Sequence, residues 1–206
     1  MKQKSLFLFV IVGFLSFEIY AQDIGRVIST PEFNWYGLDF TEAKMIGSAG
    51  FTDSDAVVNK YINKGWNDLL KTEFKKFDPG KPMGKKAVHY FEVCNERNKT
   101  VIEEGLIIDE EYNLLPKDIQ DIVNEYPKIS DGGMGLVYIV ESFNKNDVKG
   151  YIWMTFFDEK TGEILLTERV AGAPKGFGFR NYWLGAVYEV MKLSKKQYKE
   201  WVKKFG

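Results

Sequence analysis

Apolar positions along the chain change their period several times, and each change marks an element. From Ala56 to Phe77 they fall at Val57, Tyr61, Ile62, Trp66, Leu69, Leu70 and Phe74, steps of three, four and one that gather them on one stripe of a helix. Thr52-Asp53-Ser54-Asp55 supplies N-cap residues ahead of it, and Asp78-Pro79-Gly80 ends it. Trp35 to Gly47 predicts a first strand and its exit, and Ala87 to Cys94 a second strand. Glu96 to Glu111 is polar except for Leu106-Ile107-Ile108, which suits an edge strand. Pro116 fits the first turn of a helix, whose apolar face continues through Ile119, Ile122 and Val123 to Tyr126. Residues 22–33 read as an irregular arm, with Pro31 set against any helix there.

The last third has a different pattern. Gly135 to Phe143 and Tyr151 to Phe157 are apolar on both faces, as strands covered on both sides of a sheet are. Asn144-Lys145-Asn146-Asp147 turns the first into the second. Asp158-Glu159-Lys160-Thr161-Gly162 turns the second into a third, Glu163 to Val170, with Gly162 placed for a left-handed backbone. The loop AGAPKGFGF leads to a helix over Asn181 to Leu193, and a short basic helix over Lys195 to Lys204 follows. This order predicts an α/β fold, α+β at the margin: one domain over residues 34–206, a mixed sheet of about five strands with helices packed on it, and a final three-strand antiparallel meander plus helix.

Residues 1–21 follow neither period. Lys2 and Lys4 precede an almost unbroken apolar run from Leu6 to Phe17, and Ala21-Gln22 offers a small residue at a cut. That is the layout of a secretory signal peptide. A bilayer span takes about 20 apolar residues, whereas this run is closed by Glu18. The expectation is an exported chain, periplasmic or secreted, cleaved near Ala21. Without residues 1–21, which hold Lys2, Lys4 and Glu18, the 28 basic and 29 acidic residues become 26 and 28. That near balance argues against a nucleic-acid partner.

Candidate chemistry is sparse. Cys94 is the one cysteine, so no intramolecular disulfide forms, and its apolar strand setting reads as a buried small side chain. His89 is the one imidazole; on the expected strand it shares a face with Phe91 and Val93, away from Cys94. Asp39, Glu92 and Glu141 lie in apolar strand segments, where a carboxylate is paired, exposed or functional. Asp109-Glu110-Glu111 lacks the alternating ligands and glycine of a calcium loop and reads as a solvated turn. No catalytic set, metal site or cofactor fingerprint is expected. The best site candidate is the loop entering the late helix: Lys175, Gly176, Phe177, Gly178, Phe179 and Arg180, with Trp183 one turn on. Glycines, cations and a helix N-terminus suit an anion or a partner there; the favoured reading of the loop is a glycine turn whose Phe177, Phe179, Tyr182 and Trp183 cap the core. Six lysines between Lys192 and Phe205 surround apolar residues; a surface helix is the favoured reading, contact with anionic lipid the other.

GLVYIVESF, a turn, YIWMTFFDEKTGEILLTE and the final helix resemble the TolB amino-terminal domain and the related CsgG-like curli-secretion lipoproteins, over about 60 residues. The shared hairpin turn is Asp158, Thr161, Gly162 and Glu163. FNWYGLDFTEAK and GFGFRNYW are similar to segments of small exported Bacteroidota proteins of unknown function. Both resemblances imply an envelope protein that works through contacts. The expectation is thus a non-enzymatic interaction module with an envelope protein partner. The alternatives are a small hydrolase-type enzyme using carboxylates, or a peripheral membrane protein held by the C-terminal basic helix.

Overall fold

The computed structural model describes residues 20–21 and 23–206. The expected leader therefore lies outside the described residues except for its last two. The strands are β1 (Tyr20–Ala21), β2 (Glu32–Asp39), β3 (Lys44–Ile46), β4 (Lys86–His89), β5 (Ile107–Ile108), β6 (Met134–Asn144), β7 (Lys149–Asp158) and β8 (Ile164–Gly172). The helices are α1 (Ile24–Ser29), α2 (Trp66–Thr72), α3 (Glu92–Asn98), α4 (Pro116–Asn124) and α5 (Phe179–Phe205), with a π-helical stretch, Ala56–Gly65, running into α2.

All eight strands join one mixed sheet, in the order β1-β8-β7-β6-β2-β4, with β3 on the β6 edge beyond β2 and β5 outside β3. β2, β3, β4 and β5 run parallel to β6, while β6, β7 and β8 form the expected antiparallel meander. The five strands of four residues or more match the expected number. The two- and three-residue strands are too short to show a period in the sequence.

Both faces are covered. On one, α5, α2 and α1 enclose Trp35, Tyr138, Phe156, Trp66, Trp183 and their neighbours. On the other, α4 and Cys94 of α3 close over Tyr36, Ile139, Trp153 and Phe157. This explains why β6 and β7 read as apolar throughout. α5 lies close on the first face because Gly150 and Gly172 pair across β7 and β8 under Ala186. A Cβ on Gly172 would stand 2.1 Å from the Ala186 carbonyl oxygen. The Asp158 turn forms as expected: Asp158 Oδ1 accepts the Lys160 and Thr161 N–H groups at 2.7 and 2.8 Å, and Gly162 has φ +78°.

Four local expectations are corrected. The arm carries α1, capped by Asp23, whose carboxylate accepts the Arg26 N–H at 2.9 Å, and anchored by buried Val27; Pro31 ends it rather than preventing it. The Ala56 helix keeps its apolar stripe and its Asp53 cap, but its first ten residues are π-helical. The wider turn brings the Lys60 carbonyl to where a Gly65 Cβ would be, 2.6 Å away, so a glycine is needed where the chain returns to α. The second strand stops at His89; Val93 and Cys94 belong to α3. The two late helices are one 27-residue helix, α5, since Leu193 to Lys195 contains no breaker.

Beyond the end of β4, the outer edge of β2 has no strand partner among the described residues. Two buried asparagines take that role. Asn67 accepts the Leu38 N–H at 2.9 Å and donates to the Leu38 carbonyl at 3.0 Å. Asn98 accepts the Phe40 N–H at 2.8 Å and donates to the same Leu38 carbonyl at 3.0 Å.

Candidate functional site

The loop singled out in the sequence is divided between surface and core. Phe177 is 96 % exposed, and Lys175, Gly176, Gly178 and Arg180 are exposed beside it. Phe179 is half-buried against Phe51, Tyr61 and Trp66. Trp183 is buried, stacked on Phe51 at 5.3 Å and on Phe143 at 4.8 Å. Helical geometry puts residues four apart on one face, here the inward one, so the seven residues do not form one surface.

The carboxylates in apolar strands have separate explanations. Asp39 is fully buried. It accepts Arg97 Nε at 2.9 Å, the Tyr126 hydroxyl at 2.7 Å, and the N–H and hydroxyl of Thr41 at 2.9 and 2.6 Å. Glu141, also fully buried, sits at a bulge in β6 and accepts Arg169 Nε and Nη2 at 2.9 and 2.6 Å and Trp153 Nε1 at 3.0 Å. Both are held as ion pairs. Glu92 is exposed on the first turn of α3. Cys94 is buried with Sγ 3.6 Å from the Tyr126 hydroxyl, and burial pushes its thiol well up, which suppresses the thiolate needed for nucleophilic chemistry. His89 packs edge-on against Phe74 at 3.9 Å; its Nε2 has no hydrogen-bond partner among the described residues, and burial lowers its pKa.

The surface that stands out is the outer edge of β8 with the groove beside it. β1 pairs antiparallel with this edge, Tyr20 opposite Thr167 and Ala21 opposite Leu166. From Glu168 to Gly172 the same edge has no strand partner among the described residues. Next to it, β8 and the last half of α5 line a groove of about 510 Å³ that includes Val170, Ala171, Leu193, Trp201 and Phe205. Leu193 is 37 % exposed and Phe205 44 %. Glu168 is 7 % exposed and points to the same side. Its Oε1 accepts Gln197 Nε2 at 2.7 Å, while Glu168 Oε2 and Gln197 Oε1 are buried without a partner among the described residues.

Burial pushes the Glu168 carboxyl up, partly opposed by the Gln197 hydrogen bond. The folded state thus holds this proton more tightly than the unfolded chain does. Stability is lost as pH rises through the folded-state pKa and recovered as it falls. Glu168→Gln is expected to stabilise the fold at pH 7, with the gain shrinking on acidification and gone below about pH 4, the ordinary glutamate range. Thermal unfolding of both proteins at pH 7 and pH 4 checks this; an equal difference at the two values contradicts it.

Comparison with known proteins finds no family model, no curated protein and no solved structure that matches this chain. Sequence reasoning missed the groove although one signal was legible: Leu166, Glu168 and Val170 alternate on one face of β8, so a carboxylate between two core residues faced an unusual environment. What the period cannot show is that the edge beyond Thr167 has no strand partner among the described residues. Among the described residues no helix is long and apolar enough to cross a membrane. The lysine-rich end of α5 packs inward through Trp201, 6.5 Å from Phe156.

Proposed function

We propose that this chain is a non-enzymatic binding module of the cell envelope that takes an extended segment of a partner protein as an added strand on the outer edge of β8. The observation that carries the reading is the seat of Tyr20 and Ala21 on that edge, antiparallel, beside an apolar groove and a stretch, Glu168 to Gly172, that has no strand partner among the described residues. An added strand draws affinity from main-chain hydrogen bonds and specificity from pockets for alternate side chains. Here the groove offers apolar contacts through Leu193 and Phe205.

The proposal includes export, with cleavage near Ala21 that would remove β1 and free Leu166 and Thr167. The resemblance of the last third to the TolB amino-terminal domain agrees with an envelope role. An exposed, unpaired edge is a liability that proteins usually block, and Tyr20 and Ala21 cover its Thr167 and Leu166 until the proposed cleavage.

The test compares the full chain with a chain starting at Gln22. The probe is a fluorescent peptide with the sequence of residues 15–21, LSFEIYA, whose last two residues already take this edge and whose Leu15, Phe17 and Ile19 alternate with polar residues. Anisotropy should show binding to the shorter chain and at least tenfold weaker binding to the full chain. Leu193→Glu/Phe205→Glu, both at exposed positions, should abolish binding with unfolding unchanged. Equal binding by the double variant, or none by the correctly folded shorter chain, overturns the reading.

A further inference from the structure

The parallel strands β3, β5 and β6 end side by side at Ile46, Ile108 and Asn144. Open sheets bind ligands in crevices beyond the carboxyl ends of their strands, and a cleft of about 400 Å³ lies at this one. Asp109, Glu110, Glu111 and Asp147 line it, with Arg169 and Ser142. Arg169 is already neutralised by Glu141 at 2.6 Å. The four remaining carboxylates make the cleft anionic.

The acidic cluster has a second, separate feature. Ser142 is 1 % exposed, lines the cleft, and its Oγ is buried without a hydrogen-bond partner among the described residues. Leaving such an oxygen unpaired costs free energy that a bound donor would recover. β6 brings Ser142 there because the bulge between Val140 and Ser142 sends Glu141 to Arg169 and leaves Ser142 opposite Tyr151, another residue of the cleft.

We infer that this cleft binds a primary alkylammonium group, with a carboxylate pair supplying charge and Ser142 Oγ accepting one of its three N–H donors. Three observations select this chemistry. The lining charge calls for a cation. Among the described residues no group of three or more His, Cys, Asp or Glu side chains is arranged to hold a metal ion, which favours a cation held by hydrogen bonds over one held by coordination. A quaternary ammonium group needs open aromatic faces, but the Arg169 guanidinium already lies over the Tyr151 ring at 4.2 Å and Lys44 is 5.8 Å from the Tyr112 centroid. Asp147 is fixed for the role. It accepts the Tyr151 hydroxyl and Asn144 Nδ2 on Oδ2, both at 2.9 Å, leaving Oδ1 free of partners among the described residues.

The group can belong to a free amine or to a lysine side chain, and the experiment separates these sources. Calorimetric titration of the full chain at low salt uses putrescine in one arm and the peptide acetyl-Gly-Lys-Gly-amide in the other. Saturable one-to-one binding of either supports the inference, and the tighter ligand names the source. Asp147→Asn and Glu111→Gln should each weaken binding at least tenfold. Ser142→Ala should weaken it severalfold with thermal unfolding unchanged or raised, a split that a purely structural serine does not give. The inference is overturned if neither probe binds, if Asp147→Asn binds as well as the parent, or if calcium displaces the amine with matching affinity.

Discussion

Arg97→Met should be among the most damaging single substitutions in this protein, lowering folding stability by about 3–5 kcal/mol. The reason is the fully buried carboxylate of Asp39 at the end of β2. Arg97 supplies its only cationic contact among the described residues, Nε at 2.9 Å, and also donates to Thr41 Oγ1 at 3.1 Å and to Glu125 at 2.8 Å. Removing the guanidinium leaves a desolvated charge with only neutral donors. For a domain of this size the loss corresponds to roughly 10 °C in Tm. Two controls isolate the cause. Glu125→Gln cuts only the solvent-exposed arm of the network and should cost under about 1 kcal/mol. Asp39→Asn in the Arg97→Met background removes the orphaned charge and should recover part of the loss. Chemical denaturation of the three variants reads all of this; an Arg97→Met midpoint within error of the parent would show that Asp39 does not depend on its partner.

Gly172→Ala is the second large effect, at about 3 kcal/mol, the upper end of ordinary overpacking. The new methyl would meet backbone, not a movable side chain: 2.1 Å to the Ala186 oxygen and 2.9 Å to its carbonyl carbon. Relief requires α5 to lift from β8, and that helix also covers Gly150, whose own Cβ would be 2.9 Å from that of Ala186. Because the obstacle is a carbonyl, Ala186→Gly should not rescue the variant. Gly133→Ala is the matched control, since nothing lies nearer than 4.0 Å to its Cβ position; it should stay within about 0.5 kcal/mol of the parent. Urea unfolding of the pair decides the point, and equal midpoints would refute close packing of α5.

The sites show how far reading from sequence reached. Glu141 and Asp39 were recognisable as carboxylates in apolar strands, but their partners, Arg169 and Arg97, are 28 and 58 residues away and only the folded sheet joins them. Lys175 to Trp183 was legible as a glycine turn with aromatics and cations, suited to capping the core or to a surface site. Helix phase then sent Phe179 and Trp183 into the core, a choice fixed by Phe51 and Phe143 across the sheet. Ser142 carried no signal, since a serine in an apolar strand is ordinary; its hydroxyl, without a partner among the described residues, owes its place to a bulge.

Local physics decided the covered meander β6–β7–β8, the Asp158–Gly162 turn, the Asp53 cap with its apolar stripe, and the helix begun by Pro116, because each follows from side-chain period and turn chemistry within a few residues. Tertiary structure alone decided the rest. The chain after Phe91 became α3 instead of strand because Cys94 and Asn98 are buried on one face of a helix, where Asn98 completes β2. The β8 edge with its groove and the cleft at the ends of β3, β5 and β6 exist only once distant segments are laid side by side, and strand neighbours are a long-range choice that no local period encodes.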